Sequence, residues 1–151
     1  MFPFHIVYSA GPIDAPSLDT FVELVNSIDS GQIYGDEVTL EPLAAWRRVA
    51  KSWFRPAPGD QCGFSLLRFW PDERAPTWLA HYWDASRTEW FASGSGLERY
   101  CGGILCGAPA TVSESCFLRL ETGIELAREF CQLMGRPRSC TWNPMSVALN
   151  M

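Results

Sequence analysis

Two histidines, His5 and His81, and six cysteines are the residues of this chain with the most obvious chemistry. A cysteine nucleophile needs an imidazole within reach to take its proton, so Cys62 or Cys106 with His81 forms the one conceivable Cys-His hydrolase. Neither cysteine sits at a recognisable helix N-terminus that would favour its thiolate, and the run Trp78-Leu-Ala-His-Tyr-Trp83 places His81 inside an alternating strand. The plainer reading makes His81 a solvent-facing or hydrogen-bonded residue of a sheet. Metal binding has less support, because there is no Cys-x-x-Cys and Cys101-x4-Cys106 lacks a second pair at zinc-like spacing. Glycines at 94, 96, 102, 103 and 107 precede no Gly-Lys-Ser/Thr and are expected in turns, not around a phosphate. No catalytic residue, metal or cofactor is therefore expected.

A second group of residues suits binding. Phe69, Trp70, Trp78, Tyr82, Trp83, Trp90 and Phe91 form an aromatic cluster interleaved with Asp72, Glu73, Asp84 and Glu89. Strand alternation sends Trp78, Ala80 and Tyr82 to one face and Leu79, His81 and Trp83 to the other, so at least one large ring lies off the principal core. Aromatic rings rimmed by carboxylates suit a basic protein patch, and Asp72, Glu73, Trp83, Asp84 and Glu89 are the candidate contact residues. The alternatives are core packing for the rings, solvated turns for the charges, and a carbohydrate-binding surface built on exposed tryptophan.

The elements that must position these residues follow from periodicity. Residues 2 to 8 suit a first strand, and Ser17 caps a helix of about 11 residues with Leu18, Phe21, Val22, Val25 and Ile28 on one face and Gly31 past its end. A second helix is expected from Glu41 to Phe54, with Leu43, Trp46, Ala50, Trp53 and Phe54 on its apolar side and Arg47, Arg48 and Lys51 in solvent. After Pro56-Ala-Pro-Gly59-Asp60, short strands are expected at Gly63 to Trp70, Thr77 to Trp83, Glu89 to Ser93, within Tyr100 to Leu105, and around Ser115 to Leu120. Thr122 and Glu125 make a capping-box pattern opening a helix whose buried face is Ile124, Ala127, Phe130, Cys131 and Met134. Gly135 supplies the left-handed residue that stops it, Pro137 prevents resumption, and Ser139 to Trp142 forms a last strand. Strands in consecutive short runs imply an α+β fold: a mostly antiparallel β-sheet with about three helices packed on one face.

Composition bounds the rest. The 151 residues suit one domain, and 47% apolar with 13% aromatic content supplies a core without disulfides. A formal charge of −5 disfavours direct binding to a nucleic-acid backbone and favours a basic partner. Met1-Phe-Pro-Phe-His has neither a charged leader nor a long apolar run, so a cytosolic protein with reduced thiols and no membrane contact is expected.

The order of elements, with the ending Ala127-Arg-Glu-Phe130, Gly135-Arg-Pro137 and Cys140-Thr-Trp142, resembles the Imm-one family of immunity proteins from bacterial polymorphic-toxin systems. The resemblance implies a non-enzymatic cytosolic inhibitor that binds a cognate toxin domain, often a nuclease or nucleic-acid deaminase. It would block the toxin's active site or its basic substrate groove. The terminal residues read as fold determinants within it, Phe130 and Trp142 in the core and Gly135 and Pro137 in the turn.

Overall fold

A computed structural model describes residues 2–13, 16–42 and 62–150. The strands are β1 (Phe4–Tyr8), β2 (Gly11–Pro12), β3 (Glu37–Pro42), β4 (Gly63–Pro71), β5 (Thr77–Trp83), β6 (Glu89–Ala92), β7 (Tyr100–Leu105), β8 (Ala108–Ser113) and β9 (Trp142–Pro144). They join one antiparallel sheet ordered β2-β1-β3-β4-β5-β6-β9, with β7 added beside the end of β4 and β8 beside β7. The helices are α1 (Leu18–Asp29), α2 (Leu120–Leu133) and the short α3 (Met145–Ala148), with a 3₁₀ turn at Glu114–Cys116. The α+β class expected from the strand spacing is what forms.

Period-two alternation divides the strands between two faces. Phe4, Ile6, Val38, Leu40, Phe64, Leu66, Trp78, Ala80 and Tyr82 point to the face on which α1 and α2 lie, where Phe21, Val25, Ile28, Leu126 and Phe130 meet them. Phe130 has no exposed surface and contacts three rings, with centroids 5.0 Å from Phe4, 5.5 Å from Phe64 and 6.2 Å from Tyr82. Full burial of such a side chain stabilises the fold by roughly 1.5–3 kcal/mol. The opposite face carries a second core of Leu67, Phe69, Leu79 and Phe91 beneath Val112, Cys116 and Ala148. Two long helices thus share one face, while α3 packs on the other.

Capping explains why α1 begins and ends where it does. Ser17 Oγ accepts from the Thr20 amide at 3.0 Å, and Gly31 adopts φ +80 just beyond the helix. At its C-terminal end Arg68 of β4 donates to the Ile28 carbonyl at 2.6 Å and to the Asp29 carbonyl at 3.4 Å. The guanidinium lies between the rings of Trp70 and Trp78, at 5.1 and 5.4 Å from their centroids. A cation here answers the carbonyls at the helix end and the negative end of the helix dipole.

Several expectations are revised. Glu41 and Pro42 close strand β3, and the remainder of the helix predicted over 41–54 lies outside the described residues. The strand predicted around Ser115 to Leu120 is instead the 3₁₀ turn, a single bridge from Leu118 to Trp78, and the first residue of α2. α2 begins two residues before Thr122, so Thr122 is no cap and Arg119 takes that place without a side-chain bond. Its buried residues are Gly123, Leu126, Ala127 and Phe130, while Met134 is exposed and itself adopts the left-handed conformation assigned to Gly135. The final strand begins, and does not end, at Trp142.

Most of the glycines expected in turns serve close approach instead. A Cβ on Gly94 would lie 2.0 Å from the Phe117 carbonyl oxygen, one on Gly96 1.9 Å from that of Glu114, and one on Gly103 2.2 Å from that of Trp70. Gly107 is a genuine turn residue, following Cys106 in the β7–β8 hairpin with φ +80 after φ +50. Two consecutive positive values define the hairpin turn that matches strand twist.

The C-terminal segment that carries the family resemblance is held by local bonds. The Glu129 carboxylate accepts from the amides of Arg138 at 2.6 Å and Ser139 at 3.1 Å. The Trp142 indole donates to the Pro137 carbonyl at 2.8 Å, and its half-buried ring lies 5.9 Å from Tyr82.

Candidate functional site

Beyond the second core, toward β1 and β3, the face opposite the long helices forms the floor of a cavity of about 840 Å³. The same alternation that sends Val38 and Leu40 into the core sends Glu37, Thr39 and Glu41 to this side of β3. Register aligns Val7, Thr39, Ser65, His81 and Phe91 across β1, β3, β4, β5 and β6 as one row, with Trp83 and Glu89 paired one step along. Among the described lining residues are five carboxylates, Asp36, Glu37, Glu41, Asp84 and Glu89, against one guanidinium, Arg87. Carboxylates gathered around one concavity focus a negative potential into it.

Polar groups of the floor are partly satisfied among themselves. Thr39 Oγ1 donates to Glu37 at 2.8 Å and lies 2.8 Å from Ser65 Oγ. His81 Nε2 lies 2.9 Å from Glu89 Oε1. Because an ionised carboxylate only accepts, neutral His81 donates through Nε2. The imidazole stacks on Phe91 at 4.9 Å and lies 5.4 Å from the Trp83 ring. Burial pushes its pKa below the ordinary imidazole value, against the opposing pull of Glu89 and Glu37, so the ring is neutral at neutral pH. Hydrogen bonding inside its own turn, first from the Ser86 hydroxyl, holds the Asp84 carboxyl below the usual range.

The two cysteines considered as nucleophiles are placed very differently. Cys62 belongs to the core on the helix-covered face, with its thiol 3.4 Å from the Met134 carbonyl, whereas His81 is on the other face of the sheet. Cys106, an exposed residue of the hairpin turn, does line the cavity with His81, but partial desolvation by its surroundings, followed by the nearby carboxylates of Glu37 and Asp36, pushes its thiol up to about 11. Such a thiol is protonated at neutral pH and is a poor nucleophile. All six cysteines are reduced thiols, and no cluster among the described residues has the make-up of a metal site.

Of the five residues singled out for contact, the fold brings three together. Trp83, Asp84 and Glu89 line the cavity, Trp83 and Glu89 as register partners. Asp72 and Glu73 occupy the β4–β5 turn at the other end of β5, a seven-residue strand spanning roughly 20 Å. Both are exposed; the Asp72 amide donates to the Gly102 carbonyl at 3.0 Å, and Glu73 adopts φ +59. Sequence reasoning missed Asp36, Glu37 and Glu41, since it placed no strand at β3. The signal was present in Glu37-Val-Thr-Leu-Glu41, which alternates polar with apolar.

Glu114 is a further functional-looking residue with a structural task. Its carboxylate is 8% exposed and accepts from Arg74 at 2.6 Å and from Arg99 Nε. These two guanidiniums, Arg99 foremost, lower its pKa and tie the 3₁₀ turn to the β4–β5 and β6–β7 connections.

A scan against protein-family models finds no match to the chain, and a search of curated proteins finds none. No helix among the described residues is long and apolar enough to cross a membrane.

Proposed function

We propose that the chain is a toxin-neutralising immunity protein, a non-catalytic binder whose acidic cavity takes a basic surface of a cognate toxin domain in the cytosol. The observation that carries this reading is the cavity itself: five carboxylates from two separate stretches of the chain, 36–41 and 84–89, converge on one concave sheet face beside Trp83. Toxin domains that act on nucleic acid need cationic grooves, and a rigid negative concavity complements one in charge. Opposite potentials raise the encounter rate, while a desolvated aromatic residue at the centre slows release. A sheet is also a suitable platform, because its backbone is locked by the ladder and little ordering is required on binding. The Cys106 thiol is protonated and directed toward Glu37, 4.0 Å away, and not toward His81, which favours this reading over a Cys-His hydrolase.

The resemblance of the ending Phe130, Gly135-Arg-Pro137 and Trp142 to the Imm-one pattern supports the same class, with these residues in structural roles. The test is direct mixing of the purified chain with the toxin domain encoded beside it. A stoichiometric complex that weakens steeply with added salt and abolishes toxin activity is expected. Full toxin activity at a several-fold excess of this chain would reject the proposal.

A further inference from the structure

Trp83 is seated on the cavity floor by its strand partner. Gly63 of β4 is the register partner of Trp83, and a Cβ built on Gly63 would lie 1.9 Å from Cζ2 and 2.3 Å from Cε2 of the indole. The ring therefore fills the space of the missing cross-strand side chain and lies over β4. That position puts it between the strands that bear two of the cavity's carboxylates, Glu41 on β3 and Glu89 on β6. The indole is half-buried, held from beneath by a glycine that only an absent side chain accommodates.

We infer that Trp83, flanked by Glu41 and Glu89, seats an arginine side chain presented by the partner. This rests on the reading that the cavity takes a basic protein. A guanidinium is planar and weakly hydrated, so it stacks on an indole while its edge donates in a fork to a carboxylate. A lysine ammonium is a strongly hydrated point charge that gains less from the ring. Neutral His81, already donating to Glu89, adds no positive charge to oppose the incoming cation.

The experiment uses the full chain with labelled tryptophan indoles and two probes, N-acetyl-arginine amide and N-acetyl-lysine amide, followed by NMR. The Trp83 indole signal is expected to move saturably with the arginine probe and to respond roughly threefold or more weakly to the lysine probe. Glu41→Gln and Glu89→Gln should each weaken the arginine response by a similar factor with the fold intact. Trp83→Leu should abolish it, its folding checked by the remaining indole signals; should that variant unfold, the two glutamine variants decide. Equal responses to both probes, a still Trp83 signal, or unchanged affinity in the glutamine variants would overturn the assignment. An arginine-selective Trp83 response without toxin neutralisation would leave the seat standing and remove the immunity reading. Neutralisation equally strong in wild type and both glutamine variants would do the reverse.

Discussion

His81 is the residue whose environment departs furthest from what its type suggests. It is a titratable group on the cavity floor, yet its ring is mostly buried between Phe91 and Trp83 and its Nε2 proton is committed to Glu89. Burial lowers its pKa in the folded chain, so between that value and about 6.5 the unfolded chain binds the proton that the folded chain refuses. Stability is therefore full above about pH 6.5 and is lost as pH falls through the folded value. Urea denaturation in a pH series should show this decline, and His81→Gln should flatten it. An identical slope in the variant would mean that other groups cause the decline.

At the scale of elements, α1 is held at both ends by side chains that differ in how visible they are. The Ser17 cap is written locally, three residues before the amide it accepts from, and Ser17→Ala should cost about 1 kcal/mol. The Arg68 cap comes from a strand 40 residues away and donates to the last carbonyls of the helix while sandwiched by two indoles. Arg68→Met, which keeps the apolar stem, should cost about 2 kcal/mol or more, because hydrogen bonds from charged donors are worth more than those from neutral ones. Denaturant midpoints of the two variants check the order. A smaller loss for Arg68→Met than for Ser17→Ala would show that the rings, not the cation, hold this end of the helix.

Over the whole molecule the four carboxylates singled out for contact fall at opposite ends of β5. Asp72 and Glu73 stand on a turn at one end of β5, while Asp84 and Glu89 join Asp36, Glu37 and Glu41 around the cavity at the other. Paired reversals separate them: Glu41→Lys with Glu89→Lys should slow association with a basic toxin domain by about tenfold or more at low salt. Asp72→Lys with Glu73→Lys, equal in net charge, should change it far less. Stopped-flow association rates for both pairs measure the difference, and equal slowing would mean that net charge alone, not the cavity, steers the encounter.

Much of this was readable without coordinates wherever a feature is short-ranged. The boundaries of α1, the limits of β5, and the division of Trp78, Ala80 and Tyr82 from Leu79, His81 and Trp83 all follow from periods of 3.6 and 2 that a few neighbouring residues define. The stop of α2 was misplaced by a residue because Met134, and not the glycine after it, takes the left-handed conformation, which a local rule keyed to glycine does not anticipate. β3 was lost for a related reason: Glu37 to Pro42 gains its stability from pairing with β1 and β4, partners distant in the chain. The sequence alone thus determined the class of fold, the acidic and aromatic inventory and which residues share a strand face. Only tertiary structure decided that Asp36, Glu37 and Glu41 stand across from Trp83 and Glu89, because the register carried from β3 through β4 and β5 to β6, and not spacing along any one of them, sets that encounter.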